Sequence, residues 1–155
     1  MAHGPNQQAA VSALATALEH LVGERNLGRI YRGPIDVVLD RDAGHVVRPD
    51  IVFVAHTRGE GEIVPDEIDA PPDAIFDVLT SRPKTGEFDD RLSALAAAGV
   101  REYWLVHLYE RRVDVIAFAR GAIVRERSHG EAAPIESDVL PGFDRTLESL
   151  VGTST

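Results

Sequence analysis

The sequence predicts a mixed α/β fold of the α+β kind, and three patterns predict it. Apolar residues recur at helical spacing near the start, over 9–23. The period then changes to that of strands across 29–39 and 45–55, stretches rich in β-branched residues, and a short buried strand follows at 73–79. A second helical stretch follows at 87–98, before two or three more strands.

Each element has its own local reason. In the first helix Val11, Leu14, Ala15, Leu18, Leu21 and Val22 form one apolar stripe, and Gly23 is the expected stop. The next two stretches are joined by Asp40-Arg41-Asp42-Ala43-Gly44, turn residues placed where a hairpin needs them. Residues 56–72 concentrate Gly, Pro and acids, so a long surface loop is expected there. Asp73-Ala74-Ile75-Phe76-Asp77-Val78-Leu79 reads as a short buried strand. Gly99 is placed to end the second helix. Strands are expected at 101–108 and 112–118 around a turn at 109–111, with a third at 122–127. Pro141-Gly142 is a turn before a short amphipathic tail ending at Leu150. The first three strands should form an antiparallel meander, and the helix at 87–98 should cross over to a parallel neighbour. The sheet is therefore mixed and flanked by helices.

The 155 residues suit one domain, with its core over about 9–150 and loose ends at 1–8 and 151–155. A hydrophobic content of 44% supports a real core. Sixteen basic against 25 acidic side chains give a net charge of −9. Such a chain repels polyanions at long range, so a nucleic-acid role needs a local basic surface or bound cations. The absence of cysteine excludes disulfides, thiol catalysis and Cys-based zinc sites. Charges interrupt every long apolar run and the first residues do not resemble a secretory signal, so no membrane role and a cytoplasmic location are expected.

Two acids stand out by position. Asp50 lies in Val46-Val47-Arg48-Pro49-Asp50-Ile51-Val52-Phe53-Val54, and Asp77 in Ala74-Ile75-Phe76-Asp77-Val78-Leu79. Each is a lone carboxylate in an apolar strand, so it must pair, protonate or bind a cation. Pro49 cannot donate to a ladder and marks an edge or bulge beside Asp50. Two such acids on adjacent strands would converge on a hard divalent ion, Mg²⁺ or Mn²⁺. On spacing alone, a solvent-facing or arginine-paired acid is the commoner arrangement.

Three strings shift that balance. Arg48-Pro49-Asp50-Ile51-Val52-Phe53-Val54, the run from Ala70 to Ser81, and Ala98-Gly99-Val100-Arg101-Glu102-Tyr103-Trp104-Leu105-Val106 resemble the Uma family of restriction endonucleases, within the PD-(D/E)XK nuclease superfamily. Val139-Leu140-Pro141-Gly142-Phe143 resembles the family's closing motif, and the likeness runs from about Val11 to Leu150. The resemblance implies a restriction-endonuclease-like mixed sheet, DNA as partner, and metal-dependent phosphodiester hydrolysis. Asp50 matches the proline-aspartate acid. Asp77 stands where the family usually has Glu, one methylene shorter, a difference of roughly 1.5 Å. Leu79 stands where a strand lysine would be, and the helix lysine that replaces it in the family is Arg91 here. Arginine can fork onto phosphate but stays charged, so it is not a practical base. Leu95 replaces the family's tyrosine, Thr80 its serine, and His107 its aspartate after Trp-x-Val.

Other candidates carry less. Arg82 and Lys84 follow Asp77 closely and are possible phosphate contacts, though a solvated loop accounts for each singly. Glu19 on the first helix is a possible third acid. His45, His56 and His107 lack metal spacing and read as surface or hydrogen-bonding residues. Gly59-Glu60-Gly61 is no phosphate cradle, and Arg111-Arg112 reads as a solvated turn. Two functional readings follow: a metal-dependent deoxyribonuclease, or a degenerate nuclease fold kept as a binding or assembly module. A two-fold dimer is expected, with Tyr103, Trp104 and Tyr109 as candidate interface surface.

Overall fold

The structure, a computed structural model, describes residues 5–55, 63–64, 67–68 and 71–152. Helix α1 (Pro5–Arg25) leads into β1 (Gly28–Arg32), β2 (Asp36–Asp40), β3 (His45–Val47) and β4 (Ile51–Ala55). Two short strands, β5 (Ile63–Val64) and β6 (Glu67–Ile68), precede β7 (Ala74–Leu79) and α2 (Thr85–Ala98). Strands β8 (Glu102–His107), β9 (Arg112–Ala119) and β10 (Ala122–Gly130) and helix α3 (Leu147–Val151) complete the chain. The main sheet has the order β1-β4-β7-β8-β9-β10. Only β7 and β8, joined by the α2 crossover, run parallel; its other neighbours are antiparallel.

The mixed sheet, the meander of the first strands and the parallel crossover are all present. Several boundaries differ, each for a physical reason. Helix α1 starts at Pro5, because proline suits a first helical turn and the Gln7 side chain donates to the Val78 carbonyl at 2.5 Å. That turn is held by a polar contact and so carries no apolar period. The helix also runs past Gly23 and ends at Asn26, which takes the left-handed φ of 52°. The expected loop at 56–72 contains β5 and β6, of which β6 pairs parallel with β2. His56 and Gly59-Glu60-Gly61 lie outside the described residues.

The first hairpin holds the main correction. The expected strands 29–39 and 45–55 are each broken, at Gly33-Pro34 and at Arg48-Pro49-Asp50. The inner halves, β1 and β4, pair in the main sheet, with Arg32 opposite Ile51 as the last pair. The outer halves, β2 and β3, pair in a second sheet of order β3-β2-β6-β5. A proline on each strand removes ladder donors at the same level, so the ribbon bends there. The Gly33 amide still donates to the Asp50 carbonyl at 2.7 Å. A Cβ on Gly33 would lie 2.4 Å from the Pro49 oxygen, so only glycine fits.

Two cores flank the main sheet, and strand alternation sorts residues between them. Ile51, Phe53, Phe76, Val78, Trp104 and Val106 pack with α1 and the C-terminal segment. Val52, Ile75, Tyr103, Leu105 and Ile116 pack with α2 and with Ile35 and Val37 of the bent hairpin. Trp104 is wholly buried, edge-on to Phe76 and Phe143 at centroid distances of 4.9 and 5.1 Å. Tyr103 is buried too, so of the three expected interface aromatics only Tyr109 reaches the surface.

Candidate active site

Alternation places both acids on the α2 face. Asp50 has the parity of Val52, and Asp77 that of Ile75. Ile51 pairs with Phe76 and Val52 with Ile75, and the next step of that register sets Asp50 opposite Asp77. The bend at Pro49 ends regular pairing there, and side chain and backbone take over. The Val78 amide donates to Asp50 Oδ2 at 2.8 Å, and the Asp50 amide donates to Asp77 Oδ1 at 3.2 Å. The Asp50 amide also reaches the Phe76 carbonyl at 3.1 Å.

Asp77 is buried and meets two further donors at Oδ2. Arg91, three residues past the first turn of α2, donates through Nη2 at 2.7 Å. Tyr103, on the neighbouring strand β8, donates through its hydroxyl at 2.5 Å. Burial pushes the Asp77 carboxyl above its usual range, and Arg91 and the Tyr103 hydroxyl pull it back. Burial, with the Asp77 charge beside it, drives the Tyr103 phenol well above its ordinary value, so it stays a donor. The Arg91 guanidinium lies 5.6 Å from the Tyr103 ring centroid, within cation–π range, and its Nε is buried without a hydrogen-bond partner.

Asp77, Arg91 and Tyr103 line a cavity of about 810 Å³. Leu39, His45 and Val47 of the bent hairpin form one wall, and Phe88, Arg91 and Ala94 of α2 the other. The hairpin bend therefore does two things: it orients Asp50 and it raises the wall opposite α2.

The other sequence candidates sit elsewhere. Arg82 is largely exposed and turned to Glu110, 2.9 Å away. Lys84 is exposed at the N-terminus of α2. Glu19 belongs to α1, on the opposite face of the main sheet, where Arg32 holds it at 2.6 and 3.1 Å. That hydrogen-bonded pairing lowers the Glu19 carboxyl below its usual range. His107 is a buried hydrogen-bonding residue, with Nε2 3.0 Å from Asp114 and Nδ1 2.9 Å from the Tyr109 hydroxyl. Arg111 and Arg112, expected to be solvated, are ion-paired instead, Arg111 to Glu131 and Arg112 to Glu110 and Asp114. Arg112 is paired by acids two residues to either side of it, whereas the Arg111 partner lies 20 residues away, where local sequence does not display it.

A family described as "Putative restriction endonuclease", Uma2, matches residues 1–148. The chain belongs to the Uma2 family. Among solved structures it is similar to "a putative nuclease belonging to DUF820" from Anabaena variabilis ATCC 29413, at 16% identity and a TM-score of 0.74. That match covers 97% of this chain and 82% of the other, and it establishes a shared fold. No curated protein matches.

Within this Uma2 chain, the Arg101-Glu102-Tyr103-Trp104 string divides its work by alternation. Trp104 fills the α1 core. Glu102, also buried, accepts from Trp104 Nε1 at 3.0 Å, Ser137 Oγ at 2.6 Å and the Asp138 amide at 2.8 Å. It thereby ties the closing motif to the central sheet. Tyr103 alone turns to the acid pair. From the sequence it is expected as interface surface instead; its parity with Leu105 beside a parallel crossover was the available signal.

Proposed function

We propose that this chain is a metal-dependent endonuclease that hydrolyses DNA phosphodiester bonds. One observation carries the reading: Asp50 and Asp77 are interlocked across neighbouring strands, each carboxylate taking a backbone amide of the other's segment, with Arg91 reaching Asp77 from α2. Two carboxylates this close repel, and one must be protonated or countered by a cation. Among the described residues no group of three or more His, Asp or Glu could hold a metal. Two acids nevertheless fit Mg²⁺ or Mn²⁺, which commonly bind through one or two carboxylates and take further ligands from water and phosphate. Such an ion supplies Lewis-acid chemistry, lowering the pKa of a bound water and offsetting phosphate charge.

The chain's own residues have separable roles. Asp50 and Asp77 would hold the ion. Arg91 offsets the Asp77 charge and, once released from it, could fork onto a substrate phosphate. It does not carry protons, so cleavage should be slow. Arg82 and Lys84, on the exposed segment after β7, are available to bind the substrate backbone beyond the cavity. Glu19 lies across the main sheet from the acid pair, held by Arg32, so we leave it out of the proposed site. We read the chain as one cytoplasmic domain acting as a two-fold dimer, which light scattering at high protein concentration tests; a monomeric mass rejects the dimer.

The alternative, a degenerate module that binds without cleaving, draws on the arginine that stands in the lysine position. Plasmid cleavage with several divalent metals, run beside Asp50→Ala, separates the two. Metal-dependent nicking that Asp50→Ala abolishes supports the nuclease. No cleavage with any metal supports the module.

A further inference from the structure

Asp77 Oδ2 carries two donors that differ in mobility. Tyr103 sits on β8, a central strand, with its Cα paired to Ile75 in parallel register. Its side chain leans along the strand to reach Asp77, and it is only 2% exposed. Glu102 and Trp104, its neighbours, are both pinned in the opposite core. Arg91, by contrast, is about a third exposed at its side chain, 30%, and hangs on a long flexible stem from α2. An incoming cation competes with a guanidinium for the same carboxylate. Of the two donors, Arg91 can swing into the cavity and Tyr103 cannot.

We infer that Tyr103 is a positioning residue for the acid pair. Its hydroxyl fixes Oδ2 of Asp77 and thereby keeps Oδ1, the oxygen that meets the Asp50 amide, turned toward Asp50. The inference rests on the metal reading above. Without the hydroxyl, Asp77 can rotate and offer both oxygens to Arg91 in a fork, which closes the pair against a divalent ion. Partners that orient a ligating carboxylate typically change metal affinity 10–100-fold.

The test is a Mn²⁺ titration followed by the paramagnetic resonance signal of free ion, at a temperature well below unfolding. Tyr103→Phe should weaken Mn²⁺ binding by at least roughly tenfold. Trp104→Phe, on the same strand but facing the α1 core, should lose thermal stability and keep wild-type affinity. Arg91→Gln should bind Mn²⁺ at least as tightly as wild type, because Tyr103 still holds Oδ2 and the competing cation is gone. That variant keeps the inference testable even if Tyr103→Phe misfolds. Wild-type binding with unchanged affinity in Tyr103→Phe overturns the role of Tyr103 alone. Equal losses in Tyr103→Phe and Trp104→Phe, or a loss in Arg91→Gln, also overturn it. No Mn²⁺ binding by the wild type overturns the metal reading and this inference with it.

Discussion

Replacing Glu102 by glutamine should cost about 3 kcal/mol of folding stability. The substitution keeps volume and shape, so no cavity confounds the result. It converts one acceptor oxygen into an NH₂ donor inside a site furnished entirely with donors. One carboxylate oxygen takes Trp104 Nε1–H at 3.0 Å and Ser137 Oγ–H at 2.6 Å. The other takes the Asp138 and Val139 amides at 2.8 and 3.4 Å. Ser137 Oγ already accepts from the Val139 and Leu140 amides, so its proton is committed to Glu102. Whichever way the new amide flips, a buried donor faces a donor. Leaving one such group unsatisfied costs about 1–3 kcal/mol, and losing charge assistance on the remaining bonds adds about 1 more. In a chain of this size that corresponds to a fall in Tm of roughly 6–12 °C. Trp104 is the sole tryptophan, so its fluorescence in a urea titration reads the event at its centre. A loss under about 1 kcal/mol would refute the claim that Glu102 is the anchor of the closing segment.

Further outcomes follow from the same geometry. Arg91→Lys should raise the rate of metal-dependent plasmid cleavage at least roughly tenfold, by supplying a group that can exchange a proton; a flat rate, with Asp50→Ala inactive, places Arg91 outside the mechanism. Asp114 is pushed up by burial but held down to about 2 by hydrogen bonds from His107, Ser128 and Arg112. Its folded pKa is depressed, so its stabilisation is present above about pH 4 and lost as pH falls through about 2. Asp114→Asn should therefore cost about 2 kcal/mol at pH 7 and flatten the acid limb of a pH–urea stability series. Gly33→Ala would drive a Cβ to within 2.4 Å of the Pro49 oxygen and 2.9 Å of the Asp50 oxygen. It should cost about 3 kcal/mol by thermal melting and weaken Mn²⁺ binding, because the strand bearing Asp50 must move.

Much of this arrangement was legible in the residues. The stripe from Val11 to Val22 gave the buried face of α1, and Leu14, Ala15 and Leu18 are almost fully enclosed. The lone acids in apolar strands turned out to share a face, because period-two alternation transmits position along a strand. Pro49 announced the irregularity beside Asp50. What stayed hidden was relational. The bend depends on Pro34 and Pro49 lying at one level of a hairpin, and neither strand shows that by itself. Tyr103 has the same chemistry as a core aromatic until its neighbour across the sheet is known to be Asp77. Glu102 resembles a surface acid, since its partners other than Trp104 lie 35 to 37 residues away. Glu19 could not be assigned to a face before α1 was packed.

The central claim is that Asp50 and Asp77 together hold a divalent ion, and calorimetric titration of Mn²⁺ into wild type, Asp50→Asn and Asp77→Asn tests it most directly. The account predicts one site per chain in the wild type, weakened by a factor of ten or more in each variant. Binding that is absent from the wild type, or that survives unchanged in both variants, would contradict it.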